Sequence, residues 1–186
     1  MRRKRFIVTL LTFAGSLLLL SYYRPGALFG WMGEDNTAVP FDEFQGMLYY
    51  LTKSDDLLPA QMDGSEAQNP DVWSGGVHWT PAQWEARLAI MRRENPVIVF
   101  SKTYCPFSKK AKAILAEYSL KKKPKFIEAD VRPDGPKIKA LLSRLTGQAT
   151  FPNVVVGGKV IGGADRTTVL HESGSLKKRL QKAGAL

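Results

Sequence analysis

Cysteine and histidine are the two residue types that this sequence contains least often. Its 186 residues include one cysteine, Cys105, and two histidines, His78 and His171. A single cysteine excludes a disulfide within the chain, a zinc site with four cysteine ligands and a redox cycle between two thiols of one chain. The histidines are too far apart, and too poor in neighbouring ligand residues, to indicate a metal site. No Ser-His-Asp or paired-carboxylate arrangement stands out either.

Charge is unevenly distributed along the chain, so the net charge of +10 describes no single surface. The net charge is +5 up to residue 24, −8 over residues 34–80 and +13 over residues 79–186, where 21 basic residues accompany 8 acidic ones. The lysines of this last region are scattered over several predicted helices and loops, so we expect no nucleic-acid binding. We expect them instead to attract an anionic ligand, and to contact acidic targets or the acidic segment of the same chain.

The N-terminus has the pattern of a membrane anchor. Four basic residues, Arg2–Arg5, precede the uncharged run Phe6–Tyr23, which would span roughly 27 Å as a helix, enough for a thin bilayer. The sequence therefore predicts a cytosolic tail (residues 1–5), a transmembrane signal anchor (residues 6–23) and a lumenal remainder, which is a type II orientation. A cleaved signal peptide is the main alternative. A buried core helix fits less well, because its flanks lack a polar face.

Residues 24–78 differ in composition from the regions on both sides. Between residues 34 and 80, nine acidic residues accompany a single lysine, interspersed with Gly, Pro, Asn, Gln and Ser. Phe41–Phe44 and Met47–Leu51 are short apolar islands, and Asp42–Leu51 is compatible with a short helix, but no hydrophobic period is sustained. We therefore predict a solvated acidic stalk between the membrane anchor and a folded domain.

Residues 79–186 have the pattern of one α/β domain. Thr80-Pro81 predicts the start of a helix, and Val97–Phe100 is a strand-forming run that precedes Cys105. A hairpin is predicted at Val154–Ile161, with Gly157-Gly158 as its turn. The remaining strand is predicted at Lys125–Ala129, and further helices at Pro106–Tyr118, Pro136–Leu145, Ala164–Leu170 and Ser173–Lys182. The order αβαβαββαα predicts a three-layer α/β sandwich around a mixed four-stranded sheet.

Cys105 is predicted to be a reactive thiolate. It follows a buried strand and directly precedes a helix that begins with Pro106, so unpaired backbone N–H groups and the helix dipole favour the charged form. Lys102, Lys109 and Lys110 add positive charge nearby. Such a position lowers a cysteine pKa from about 8.5 to between about 3.5 and 7.5, and the thiolate is the nucleophile. The alternative, a buried and inert cysteine, is disfavoured by these polar neighbours.

Three short motifs resemble those of glutaredoxins. Lys102–Ser108 (KTYCPFS) resembles the active-site turn of that family, Thr150–Pro152 its Thr-Val-Pro loop, and Gly162–Asp165 its Gly-Gly-x-Asp turn. The motifs occur in the order and spacing of the family. Together with the anchor, they resemble the membrane-anchored monothiol glutaredoxins of the fungal early secretory pathway, in the endoplasmic reticulum or Golgi.

This resemblance implies a thioredoxin-like fold with a groove that binds glutathione as a co-substrate. The peptide bond before Pro152 is expected to be cis, which places the Phe151 backbone for strand-like pairing with the cysteinyl unit of glutathione. Phe107 would form a wall of this groove. The supporting residues that the motifs imply are Pro106, Ser108, Thr150, Gly162 and Gly163.

The same resemblance implies which groups bind the two carboxylates of glutathione. Lys102 would meet the carboxylate of the glycine, and Lys139 is a second candidate for this role. The backbone at Ala164 and Asp165, at a helix N-terminus, would hold the γ-glutamyl carboxylate, and the Asp165 side chain can pair with the ammonium group.

Ser108 occupies the position of the second cysteine in a Cys-x-x-Cys centre, so the resemblance implies a monothiol mechanism. The Cys105 thiolate would attack the glutathione sulfur of a mixed disulfide with a protein, and a second glutathione would regenerate the thiolate. The expected activity is that of a glutathione–disulfide oxidoreductase acting on glutathionylated proteins in the lumen. The alternative is a binding protein, a homodimer in which two Cys105 thiolates and two glutathiones hold a [2Fe–2S] cluster.

Overall fold

The helices and strands follow the predicted order from Pro81 onwards. The structure, a computed structural model, describes residues 41–53 and 56–186. The elements in these residues are α1 (Glu43–Lys53), α2 (Pro70–Ser74), α3 (Pro81–Glu94), β1 (Val97–Ser101), α4 (Pro106–Ala116), β2 (Lys125–Glu128), α5 (Gly135–Thr146), β3 (Asn153–Val156), β4 (Lys159–Gly162), α6 (Ala164–Glu172) and α7 (Ser175–Lys182). The predicted order αβαβαββαα is thereby confirmed.

The four strands form one mixed sheet, as predicted, and their order in it is β2-β1-β3-β4. β1 runs parallel to β2 and antiparallel to β3, and β3 pairs with β4 in an antiparallel hairpin. The hairpin turn consists of Gly157 and Gly158, which have φ angles of +58° and +77°. Both lie in the left-handed region, which glycine enters without steric cost.

Helices cover both faces of the sheet, because alternate side chains of each strand point in opposite directions. On β1, Ile98 and Phe100 belong to the apolar cluster that includes buried residues of α1, α3 and α5. Val97 and Val99 belong to the second cluster, with buried residues of α4, α6 and α7. The fold is therefore the predicted thioredoxin-like three-layer sandwich.

The prediction of a solvated stalk is wrong for residues 41–53 and 56–78, which we call the N-terminal segment. Phe44, Met47, Leu48 and Leu51 are buried in the apolar cluster of α3 and α5. Their spacing of i, i+3, i+4 and i+7 is that of one face of a helix. The prediction gave more weight to the acidic composition than to this apolar pattern. Trp73 of α2 is also fully buried. The folded unit therefore begins before residue 79.

Polar contacts also join the N-terminal segment to α5. Glu43 forms a two-pronged ion pair with Arg144, with N–O distances of 2.6 and 2.8 Å. Asp134, the buried residue that precedes α5, accepts a hydrogen bond from the backbone N–H of Leu58 at 2.8 Å. Lys137 Nζ donates to two backbone carbonyls of the segment at 2.9 and 2.6 Å. Part of the surface of α5 is thus covered by this segment.

The predicted membrane anchor at residues 6–23 lies outside the described residues, as do the predicted tail at residues 1–5 and residues 24–40. Among residues 41–53 and 56–186, no helix combines the length and the apolar character needed to cross a membrane.

Candidate active site

Cys105 lies where the sequence predicts it, at the N-cap position of α4. β1 ends at Ser101, and a short loop leads to Cys105, whose backbone N–H donates to the Lys102 carbonyl at 3.2 Å. Pro106 occupies the first position of α4, where its fixed φ suits a helix and its missing N–H leaves no donor unpaired. The first turn is closed by a hydrogen bond of 3.0 Å from the Lys109 N–H to the Cys105 carbonyl. The thiol therefore sits at the positive end of α4.

The surroundings of the thiol stabilise its charged form. The backbone N–H of Ser108 lowers the pKa of the Cys105 thiol most, against a smaller opposing effect of desolvation. The Ser108 hydroxyl, the Phe107 N–H and the charge of Lys102 lower this pKa further. Ser108 is fully buried, and its hydroxyl also accepts a hydrogen bond from the Lys102 N–H at 3.2 Å. The residue in place of a second cysteine thus supports the thiolate of the first.

The loop before β3 approaches the thiol from the other side. The Phe151–Pro152 peptide bond is cis, as predicted. The Cys105 thiol donates a long hydrogen bond of 3.8 Å to the Phe151 carbonyl. Lys102 Nζ lies 5.5 Å from the centre of the Phe151 ring and donates to the Tyr104 hydroxyl at 3.3 Å. The thiol, a cation and the loop with the cis peptide bond therefore converge on one place.

A cleft of about 740 Å³ opens beside Cys105. The seven predicted glutathione-binding residues all line it, namely Lys102, Phe107, Lys139, Phe151, Pro152, Ala164 and Asp165. Of the supporting residues, Pro106, Thr150 and Gly163 also line it, whereas Ser108 is buried beneath Cys105 and Gly162 ends β4. The fold thus brings together residues that are up to 63 positions apart in sequence, although their roles toward glutathione stay predictions.

Four further residues that sequence reasoning missed also line the cleft: Tyr104, Gln148, Ala149 and Arg166. Gln148 has a clear structural role, because its side-chain amide donates to the Pro152 carbonyl at 2.8 Å and to the Thr150 carbonyl at 3.3 Å. It thereby braces the loop that contains the cis peptide bond. Tyr104 could have been found from its place within the Cys105 motif, but Gln148 and Arg166 carry no signal apart from their proximity to motifs.

The described residues contain no group of three or more His, Cys, Asp or Glu side chains that could hold a metal ion. His78 contacts Asp71 at the surface, and His171 contacts Tyr118 at 2.8 Å.

Cys105 offers one thiolate beside a cleft with cationic and backbone hydrogen-bonding groups. This arrangement suits thiol–disulfide exchange with an anionic thiol or disulfide ligand.

Part of this chain is similar to known proteins. The sequence model of the glutaredoxin family matches residues 97–161, so the N-terminal segment lies outside the match. A glutaredoxin of Ricinus communis is 48% identical over 92 residues, which cover 50% of this chain and 88% of that protein. Monothiol glutaredoxin-S6 of Oryza sativa subsp. japonica is 44% identical over 86 residues, or 46% of this chain and 64% of that protein. Among solved structures, the buckwheat glutaredoxin–glutathione complex shares 38% identity at a TM-score of 0.48, covering 54% and 90% of the two chains.

Proposed function

This chain belongs to the glutaredoxin family, whose chemistry is glutathione-dependent thiol redox exchange, and we propose that it is a monothiol oxidoreductase that reduces protein–glutathione mixed disulfides. The observation that carries the proposal is the lone Cys105 thiol, which has a lowered pKa and sits at the edge of the cleft. The position of a resolving cysteine is filled by the buried Ser108. The second thiol must therefore come from glutathione.

The reaction proceeds by two exchanges at sulfur. The Cys105 thiolate attacks the glutathione sulfur of the mixed disulfide, the bond between the two original sulfurs breaks, and the target protein leaves as a thiolate that takes up a proton. A second glutathione, as its thiolate, then attacks the glutathione sulfur of the Cys105 adduct. This step releases glutathione disulfide and restores the Cys105 thiolate, so the mixed disulfide is reduced while one free glutathione is oxidised; the other half of the glutathione disulfide comes from the substrate.

The cleft holds glutathione by its charged ends in this proposal. Lys102 Nζ, close to the Phe151 ring, binds the glycine carboxylate, and Lys139 lies exposed on α5 as the second cation. The N-terminus of α6, at Ala164 and Asp165, presents unpaired backbone N–H groups to the γ-glutamyl carboxylate. Phe151 lines the cleft directly before the cis peptide bond, and in this proposal its backbone pairs with the central cysteinyl unit.

Substitution of the thiol tests this function directly. The full-length chain should reduce a glutathionylated protein in the presence of glutathione, glutathione reductase and NADPH, and Cys105→Ser should abolish this activity. Ser108→Ala should retain most of it, because Ser108 supports the thiolate but does not exchange disulfides. Activity that survives Cys105→Ser would show that the mechanism is wrong.

The compartment is proposed from the sequence alone. We propose a single-pass type II protein of the endoplasmic reticulum or Golgi, anchored by residues 6–23, with the catalytic domain in the lumen. Its partners there are glutathione and glutathionylated proteins. An epitope tag placed at the N-terminus should remain on the mature protein, and protease added to intact microsomes should remove the tag but spare the domain. Loss of the tag during maturation would indicate a cleaved signal peptide instead.

A glutathione-ligated [2Fe–2S] cluster is the second candidate, and it depends on the same accessible thiolate. One protomer contributes a single thiolate, so two protomers and two glutathiones would have to supply the four cluster ligands. Anaerobic purification followed by iron analysis and visible spectroscopy separates the candidates. A colourless, iron-free protein that reduces glutathionylated substrates supports the enzyme, whereas a brown dimer with two irons supports the cluster protein.

A further inference from the structure

We propose that Asp130 is a positioning residue that fixes the loop carrying Lys102 and Cys105. This inference rests on the proposed function of Cys105. Both carboxylate oxygens of Asp130 accept hydrogen bonds from one residue of that loop, Thr103. Asp130 Oδ1 accepts from the Thr103 N–H at 3.0 Å, and Oδ2 accepts from the Thr103 hydroxyl. Thr103 is separated from Cys105 by Tyr104 only.

The sheet brings these two residues together. In the parallel pairing of β1 with β2, Ser101 lies opposite Glu128. The Ala129 N–H then donates to the Ser101 carbonyl at 2.8 Å, which extends the pairing by one step beyond β2. Asp130 is the next residue along the chain, in the turn that follows β2, and it therefore lies beside the loop that leaves β1. A rigid element of the fold thus determines where the loop begins.

Asp130 is held in its ionised, accepting form. The Thr103 hydroxyl is the largest influence that lowers the pKa of Asp130, with the Thr103 N–H and the charge of Lys102 acting in the same direction against desolvation. An ionised carboxylate has no proton to donate, so both of its oxygens remain available to Thr103. Hydrogen bonds to a charged acceptor are also about twice as strong as those between neutral groups.

The loop has few other restraints of its own. Thr103 and Tyr104 are exposed. The other backbone bonds of the loop run from the Lys102 N–H to Ser108 and from the Cys105 N–H to the Lys102 carbonyl, and its side-chain bonds are those of Lys102 to the Tyr104 hydroxyl and of the Cys105 thiol to the Phe151 carbonyl. Loss of the Asp130 contacts would release the middle of the loop. Cys105 would then be less constrained against the helix N–H groups that stabilise its thiolate.

Two substitutions separate positioning from charge. Asp130→Asn and Asp130→Ala both remove the negative charge near Lys102, but only asparagine can accept from the Thr103 N–H and donate to the Thr103 hydroxyl. We expect Asp130→Asn to retain kcat within about twofold, and Asp130→Ala to lose roughly tenfold, since misplacing a reacting group by about 1 Å can cost up to 100-fold. KM for the glutathionylated substrate should change less than kcat, because the cleft residues on α5 and α6 stay in place.

A second measurement does not depend on the proposed function. The rate at which iodoacetamide alkylates Cys105 at pH 7 should be slower in Asp130→Ala than in Asp130→Asn, with both proteins folded by circular dichroism. Thr103→Val should have an intermediate effect, because it loses only the hydroxyl bond, and adding it to Asp130→Ala should slow alkylation no further. Equal alkylation rates in the two Asp130 variants would refute the positioning role. An inactive wild-type protein that still shows the alkylation difference would refute the proposed function alone.

Discussion

The burial of α1 leads to a quantitative prediction about Leu48. Its side chain has no exposed surface and packs in the apolar cluster of α3 and α5. Truncation of a buried leucine to alanine removes apolar contact and leaves a cavity, which costs about 2–5 kcal/mol. We expect Leu48→Ala to reduce the free energy of unfolding by about 3 kcal/mol, and therefore Tm by roughly 6–12 °C for a folded unit of this size.

Leu57 provides a matched control from the same acidic segment. It is 47% exposed, so Leu57→Ala should lower the free energy of unfolding by no more than about 0.5 kcal/mol. Both variants of the full-length chain would be unfolded in urea, with tryptophan fluorescence as the signal. Trp73 of α2 is fully buried, so its emission also reports on the N-terminal segment itself.

The difference between the two variants decides the outcome. A folded segment requires a lower urea midpoint for Leu48→Ala and an unchanged midpoint for Leu57→Ala, at equal denaturant slopes. In a solvated stalk, neither leucine would have native contacts to lose. If the midpoints of the two variants coincide within error, the segment does not belong to the folded unit and the reasoning fails.

Three further substitutions test the site and its supports. Lys102→Met should raise KM for glutathionylated substrates about tenfold or more at unchanged protein stability, because a charge-assisted hydrogen bond contributes about 1.5–3 kcal/mol. Burial raises the pKa of Asp134, but hydrogen bonds, above all from Arg132, lower it more. The pKa of Asp134 is thus lower in the folded than in the unfolded chain. The ionised carboxylate therefore stabilises the fold above the unfolded pKa, and this stabilisation is lost as pH falls through the folded pKa. When the pH is lowered below about 4, the urea midpoint of Asp134→Asn should therefore decrease less than that of the wild type. Gly135→Ala would place a Cβ 1.9 Å from the Ala129 carbonyl, and thermal unfolding should show a loss of about 1–3 kcal/mol or more.

The sheet could be predicted from the residues because its signals are local, whereas the residues of the cleft were implied by the resemblance of three motifs to glutaredoxins. Pro106 after Cys105 and the Gly157-Gly158 turn each determine the backbone within a few residues. The cis bond before Pro152 followed from its motif. Pro106 and the glycine turn depend on residue type at one position, which can be recognised without knowing what packs nearby, whereas the cis bond was implied by the family resemblance.

Two residues that sequence reasoning missed, Asp130 and Gln148, act through contacts that depend on the path of the backbone. Asp130 reaches Thr103 only because β2 pairs beside β1 in one register. Gln148 braces the loop before β3 through its amide, but an isolated glutamine after Gly147 gives no indication of a partner. Neither contact could be predicted before the strand register and the path of the loop were known.

The acidic composition of the N-terminal segment led to the prediction of a stalk, and its contacts show what the acidic residues do instead. Glu43 comes from the region of net charge −8 and Arg144 from the region of net charge +13. Both side chains of this pair are largely buried, so the desolvation of the two charges offsets much of their attraction, whereas burying one leucine contributes roughly 1.5–3 kcal/mol. The buried face of α1 contains Leu48 and Leu51 as well as Met47 and Phe44, so apolar burial dominates the attachment. Charge complementarity then selects where on the basic domain the segment lies, and the apolar face of α1 supplies most of the free energy that keeps it there.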